Sequence, residues 1–301
     1  ATSGPDWGTA PVYARDCRGV TISGLTFVDA PRWTMNVNSC EDLTIDGVKL
    51  VGMWRYNSDG IDICDCRNVV VRNSFVRTFD DCIIARPPTY LDTGTEMRGL
   101  VVSNCVLWCD WGQCMKIQHS QLPSVIGDIE MRDISCLNVA GAVAMVTTRW
   151  GSSNSVVRNV AFENVRVDLQ PERVCCQMQK ADGQVYEPIR QTQLDLVTVN
   201  AYSLGKPAPN QGKPGRLDEN FFGITYDGLS FENFSIDGVI DGIDVVSRLE
   251  TSVPGHRIRN VRFARMPGCM RLIRKGDVEN VACADGVTAG TVTSSCRQEA
   301  L

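Results

Sequence analysis

The sequence predicts an all-β protein, a parallel β-helix in which short strands stack as a solenoid. Three observations predict it: a strand-and-turn segment recurs along the chain, its repeat length is in the twenties, and almost no segment has helical periodicity. β-branched residues that alternate with polar ones and end in Asn, Asp or Gly are typical of strands, since a helix needs apolar residues three and four positions apart.

The repeat is clearest near the start of the chain. Val20–Leu25, Leu43–Val48 and Val69–Ser74 each hold a short strand and a turn, and they recur at steps of 23 and 26 residues. Strands at this spacing bury their inward side chains only by stacking on the next repeat. Leucine-rich repeats have a similar length, but their repeated Leu and Asn pattern is missing from this chain. A β-sandwich would lack the sequence likeness between repeats. Later copies are Leu100–Cys105, Ile129–Ile134, Val157–Phe162, Ile224–Leu229 and Ile258–Phe263.

Two insertions interrupt the repeats. We expect residues 1–301 to form a single β-helix domain with loops near 87–99 and at 169–223, the second rich in Gln, Pro, Gly and charge. Such loops leave the stack and often lie on the binding face, although an excursion without a role is equally compatible. The chain enters a coil almost at once, so we expect that N-terminal coils are missing or that a partner chain covers this end.

Composition excludes several classes of protein. With 301 residues and 43% hydrophobic content, the chain can bury a large core. The formal charge is −5, and no run of Lys and Arg suits nucleic acid or an anionic membrane surface. No apolar stretch has the length of a membrane span, and the first residues lack the features of a signal peptide. The first residues therefore do not predict a cellular compartment.

The 14 cysteines do not have the spacing of a metal site. Cys17, Cys40 and Cys66 each precede a short apolar strand. We expect them to be stacked core residues rather than disulfides, because a free Cys packs like a small hydrophobe. No two-pair zinc spacing is present, so neither a metal nor another cofactor is expected.

Two aspartate motifs carry the predicted chemistry. Asp59 lies in Asn57-Ser58-Asp59-Gly60 and is 21 residues before Asp80-Asp81, which is close to one coil. Neighbouring strands are about 4.8 Å apart, so these carboxyl groups should converge. Crowded carboxylates can hold one proton near neutral pH, and glycoside hydrolysis needs a proton donor beside an ionised carboxylate.

Aspartates at coil corners can also serve only as turn caps. We favour that role for Asp46 and its equivalents but catalysis for Asp59, Asp80 and Asp81, because successive coils supply them and two like charges are adjacent. Asp62 should point outward from its strand, where it lines a groove or is solvated.

The run from Val12 to Arg86 resembles the polygalacturonase-like glycoside hydrolases of family 28. Its first motif differs from the Asn-Thr-Asp of that family by Ser58 for Thr, and the Asp-Asp motif is intact. The resemblance implies a right-handed β-helix, inversion at the anomeric carbon, Asp80 as general acid, and Asp59 and Asp81 as the activators of water. It also favours a secreted or periplasmic protein.

Two motifs of that family are replaced. Gly112-Gln113-Cys114 stands where Gly-His-Gly is expected, and the segment Ala144–Thr147 stands where Arg-Ile-Lys would bind a uronate carboxylate. A uronate requires a cation, so another basic residue could substitute, or the sugar could be neutral. Trp111 could stack on a sugar face. The candidate substrate-binding residues are Asp62, Arg86, Trp111, Gln113, Lys116 and Arg149.

The sequence therefore predicts a glycosidase that acts on a pectin-like or other plant or microbial polysaccharide. Two other functions stay open. The first is a calcium-dependent polysaccharide lyase, in which Asp side chains bind the ion and Lys or Arg is the base. The second is a carbohydrate-binding β-helix without catalysis.

Overall fold

The computed structural model describes residues 10–53, 55, 57–87, 95–119, 124–148, 155–169, 191–201, 223–238, 242–251 and 255–284. These residues contain no helix of the length and apolar character that a membrane crossing requires. Their strands are β1 (Val12–Arg15), β2 (Thr21–Ser23), β3 (Thr26–Val28), β4 (Met35–Asn38), β5 (Glu41–Asp46), β6 (Lys49–Val51), β7 (Ile61–Cys64), β8 (Arg67–Arg72), β9 (Phe75–Thr78), β10 (Ile83–Arg86), β11 (Thr95–Cys109), β12 (Met115–His119), β13 (Ser124–Leu137), β14 (Ala142–Thr148), β15 (Val156–Leu169), β16 (Gln193–Ala201), β17 (Thr225–Gly238), β18 (Asp244–Thr251), β19 (Arg257–Ala264), β20 (Arg271–Lys275) and β21 (Val278–Ala284).

The strands form two parallel sheets between which the chain alternates. One sheet, here called the site sheet, has the order β1-β4-β7-β10-β12-β14-β16-β18-β20. The other runs β2-β5-β8-β11-β13-β15-β17-β19-β21, with β3, β6 and β9 alongside. Each coil thus adds a strand to both sheets, and parallel crossovers of this kind are right-handed. The predicted right-handed parallel β-helix is confirmed.

The register of the strands reproduces the repeat read from the sequence. Thr21 pairs with Thr44 and Thr44 with Val70, which are the predicted steps of 23 and 26 residues. Inward positions are closed to solvent, as at Ile45 and Val71. Further along, Phe162, Phe231 and Phe263 stack in one column with ring centroids 5.4 and 5.2 Å apart. The core therefore fills the space between the sheets, coil upon coil.

The bends between strands depend on residues that tolerate a left-handed backbone. Asn68 has φ 53° and its equivalent one coil later, Gly99, has φ 71°. Asn and Gly adopt this conformation at the lowest cost. The Asn68 amide also donates to Asp42 in the preceding coil at 3.2 Å, and Asn73 donates to Asp46 at 2.8 Å. Asp46 is therefore a structural corner residue, as predicted.

Cys40 and Cys66 are buried core residues, and Cys17 is half-buried against the core. Cys17, Cys40 and Cys66 immediately precede residues that pair from coil to coil, and the Cys40 amide approaches the Cys66 sulfur at 3.4 Å. Every cysteine among the residues described is unpaired. Burial raises the pKa of the Cys66 thiol to about 12, which keeps it neutral. The prediction of packed thiols at one repeated position is confirmed for these coils.

Both predicted insertions need a correction. Residues 95–99 of the first belong to β11, and the second contains a strand. β16 lies inside 169–223 and joins the site sheet between β14 and β18. Leu194, Val197 and Val199 are fully buried, so this stretch is a coil strand and not part of one loop. This strand was not predicted from the sequence because only a few apolar residues lie between the polar segments on either side of it. Residues 88–94, 170–190 and 202–222 are not among those described, and a single domain over the whole chain stays a prediction.

Candidate active site

The two aspartate motifs lie in neighbouring coils at the start of β7 and β10. Ile61 pairs with Ile83, and the Gly60 amide donates to the Asp81 carbonyl at 2.8 Å. By this register Asp81, 22 residues after Asp59, is directly opposite it, and Asp80 is opposite Ser58. The predicted convergence of the motifs is confirmed, with Asp81 rather than Asp80 beside Asp59.

Two glycines allow the coils to approach here. A Cβ on Gly60 would lie 2.6 Å from Val76 Cγ1 and would also meet the Cys82 carbonyl oxygen. In the following coil, a Cβ on Gly112 would lie 2.6 Å from both the Asp80 carbonyl carbon and the Asp81 nitrogen. The backbone of Asp80-Asp81 thus packs directly against Gly112. The position of this backbone depends on the absence of a side chain at Gly112.

The Gly112→Ala variant is expected to lower kcat by about 10²-fold, because the methyl group pushes the Asp80-Asp81 backbone out of place. Steady-state kinetics on a cleaved substrate, with circular dichroism to verify folding, measures the effect. Gly268→Ala is the matched control, since a Cβ there has no atom within 4 Å. Wild-type kcat in a folded Gly112→Ala protein would mean that the placement of Asp80-Asp81 is not critical.

Asp59 has surroundings that favour a protonated carboxyl group. It is 5% exposed, and its Oδ1 has no hydrogen-bond partner among the described residues. Burial raises its pKa well above the usual range, and the charges of Asp80, Asp62 and Asp81 raise it further. An isolated buried carboxylate among like charges is costly, so the neutral form is favoured.

Asp81 has the opposite surroundings. The Lys116 ammonium lies 2.7 Å from its Oδ2, and the Gln113 amide donates to its Oδ1 at 3.0 Å. Burial by itself would lower the pKa of Lys116, but Asp81 raises it above the usual value, so the lysine stays charged. Asp80 is partly exposed, and its Oδ1 accepts the Asp81 amide at 3.0 Å. The environments of these carboxyl groups differ, as acid and base roles require.

Asp62 forms an internal ion pair. It points away from the core, yet it is fully buried, and its Oδ1 lies 2.7 Å from the guanidinium of Arg86. Burial raises the pKa of Asp62 to about 7 against the opposing effect of Arg86. The Arg86 guanidinium also lies 3.9 Å from the centre of the Trp33 ring, a cation–π contact. The alternative of a solvated Asp62 was wrong, because neighbouring groups cover this face of the sheet.

Arg32 and Trp33 also lie at the site, although no motif in the sequence marks them. The Thr34 amide donates to the Asp59 carbonyl at 2.9 Å, so by register Trp33 lies opposite Asp59 in the preceding coil. Burial lowers the pKa of Arg32, and the charge of Asp59 opposes this, which places the guanidinium near the cluster. The sequence feature that could have indicated these two residues is their position, because both lie just before a site-sheet strand, as the aspartates do.

Trp111 lies beside the catalytic candidates. The residue is 38% exposed, and its ring stacks on Phe79, the residue before Asp80, with centroids 5.8 Å apart and planes 4° apart. Gln113 contributes its backbone amide to Asp81. Arg86 and Lys116 have internal partners, and Arg149 falls outside the described residues. Sugar contacts by all of these residues stay predictions.

No group of three or more His, Cys, Asp or Glu side chains that could hold a metal ion occurs in the part of the chain that the structure describes. The site instead combines four carboxyl groups with the cations Arg32, Arg86 and Lys116. A parallel β-helix with such carboxyl groups on adjoining coils has the features expected of a β-helical glycosidase.

Comparison with known proteins supports this class. Residues 8–91, which include all three catalytic candidates, match the family described as Glycosyl hydrolases family 28. A probable polygalacturonase of Arabidopsis thaliana is 25% identical over 199 residues, covering 64% of this chain and 43% of that protein. A second one from that plant is 34% identical over 157 residues, covering 51% and 32%. The chain thus spans less than half the length of these relatives.

A solved structure shows the same fold. The hyperthermoactive exopolygalacturonase of Thermotoga maritima matches with a TM-score of 0.53 at 12% identity, over 89% of this chain and 53% of that one. This likeness supports the β-helix alone. The resemblance to family 28 that the aspartate motifs indicated is confirmed by the family match over residues 8–91.

Proposed function

We propose that this chain is a glycoside hydrolase that cleaves a pectin-like polysaccharide with inversion at the anomeric carbon. One observation carries the proposal. Asp59, which favours the neutral form, lies one coil from Asp81, which an ammonium and an amide stabilise as a carboxylate. The family match over the segment that contains both residues supports the same reaction.

Asp80 is the proposed general acid, with Asp59 and Asp81 activating the attacking water. The charge of Asp80 raises the pKa of Asp59, and in the proposed mechanism these two carboxyl groups share one proton. In the free site burial favours the proton on Asp59. A bound sugar that covers the more exposed Asp80 favours its neutral form, which moves the proton towards the glycosidic oxygen. Asp59 is then ionised beside Asp81, where both accept hydrogen bonds from water.

The sugar in the cleavage subsite is either a uronate or a neutral pectic sugar. The names of the relatives support a galacturonate. The internal ion pairs of Arg86 and Lys116 support a neutral sugar, because their charges already face Asp62 and Asp81. Trp111 is the proposed stacking platform, since its partly exposed ring lies beside the aspartates.

A screen of polygalacturonate and neutral pectic oligosaccharides tests the function. We expect new reducing ends, no product that absorbs in the ultraviolet, and no effect of a chelator. An unsaturated, absorbing product that a chelator abolishes would establish the lyase instead. Binding of an oligosaccharide without any product would establish the non-catalytic alternative.

The partner that follows from this proposal is a polysaccharide or oligosaccharide. The resemblance to family 28 supports a secreted or periplasmic location, where such substrates occur. Two statements about partners stay predictions. The first is that the protein binds neither nucleic acid nor membranes, and the second is that a partner chain or a missing segment covers the N-terminal coil.

A further inference from the structure

Lys116 is a charged residue that lies between two apolar neighbours in the site sheet. It pairs in register with Ile84 in β10 and with Met145 in β14. Its side chain is 14% exposed and points away from the core, with Nζ 2.7 Å from Asp81 Oδ2. A buried ammonium is costly unless it is paired, so the pair with Asp81 is a built feature and not a mobile surface contact.

The contacts of Asp81 differ from those of Asp59, whose Oδ1 has no hydrogen-bond partner among the described residues. Arg86 is already engaged with Asp62 at 2.7 Å, and its guanidinium rests against Trp33. Both oxygens of Asp81 have donors, Lys116 on one and the Gln113 amide on the other. Without the ammonium, Asp81 and Asp59 would be two buried carboxyl groups on adjoining coils that compete for one proton.

We propose that Lys116 is a positioning residue that holds Asp81 in the carboxylate form and in a fixed rotamer, so that the shared proton stays with Asp59 and Asp80. This inference rests on the proposed function. Lys116 acts through Asp81 and forms no bond in the reaction. Through this pair Asp81 is a carboxylate already in the free protein, before any sugar binds.

Lys116→Met tests the proposal, because Met has a similar length, carries no charge and suits the apolar neighbours. A structural role alone would lower kcat at every pH without moving the profile. A positioning role moves the acid limb of the kcat/KM profile to higher pH by about one unit or more, so activity at the acid end falls about tenfold and recovers towards neutral pH. Lys116→Arg, which restores the charge, should keep the wild-type limb.

Carbon-13 NMR of the Asp81 carboxyl group gives a readout that needs no substrate. The chemical shift of this carbon changes when the carboxyl group gains or loses its proton. In Lys116→Met this change should occur at a pH about one unit or more above the pH at which it occurs in wild type. The proposal is overturned if this change occurs at the same pH in Lys116→Met as in wild type. It is also overturned if the change moves to higher pH while the acid limb of the kcat/KM profile does not move. If wild type cleaves nothing in the screen but the signal shifts, the proposed function fails and the electrostatic role of Lys116 stands.

Discussion

Replacement of Asp80 by Asn is expected to lower kcat by about 10²- to 10⁴-fold while the protein stays folded. The amide has nearly the same shape but cannot give a proton to the leaving oxygen. Asp80 is partly exposed and adds to the repulsion on Asp59, so loss of its charge should not destabilise the fold. Turnover of the best substrate and the thermal unfolding midpoint measure the two effects.

The dependence on the leaving group identifies the acid role. A substrate with an acidic phenol as leaving group needs little protonation, so Asp80→Asn should lose far less activity on it than on a natural glycan. Asp46→Asn is the control, because Asp46 caps a coil corner of the other sheet through Arg72 and Asn73. Wild-type turnover by Asp80→Asn on every substrate would remove Asp80 from catalysis.

Arg86→Met is expected to reduce the free energy of unfolding by about 3–5 kcal/mol. The substitution leaves Asp62 fully buried without its 2.7 Å partner. Burial raises the pKa of Asp62 above its unfolded value, so the folded protein binds the extra proton and stability falls as pH rises from about 4 to about 7. The loss in Arg86→Met should therefore be larger at neutral than at acid pH.

Asp62→Asn in the Arg86→Met background gives the matched comparison. It removes the buried charge, so the double variant should recover much of the stability and lose the steep dependence on pH. Urea unfolding at acid and neutral pH measures both. Equal losses in the single and double variants would show that packing on Trp33, and not the charge of Asp62, dominates the effect of Arg86.

The fold was largely predictable because each coil of a solenoid corresponds to one local repeat in the sequence. The steps at Thr21, Thr44 and Val70 are register pairs, and Asn68 and Gly99 occupy the same bend. β16 was missed because one strand between long polar stretches carries no repeat of its own. Stacking on β14 and β18, and not local pattern, decides that it is a strand.

The candidate site was predictable only where motifs are local. Asp59 and Asp81 follow from the motifs and the coil length. The pairing of Asp62 with Arg86, 24 residues away, and of Lys116 with Asp81 depends on which long side chains meet across coils. Patterns of alternation show that Lys116 points outward, but they cannot show that its partner is a catalytic candidate. Trp33 and Arg32 carry no motif at all.

The configuration of the first product tests the central claim most directly. Proton NMR during the first turnovers on the best substrate reads the anomer of the new reducing end before it mutarotates. Carboxyl groups that act as acid and water-activating base on adjoining coils predict an inverted anomer. A retained anomer would contradict the account, because it requires one of these aspartates to attack the sugar itself.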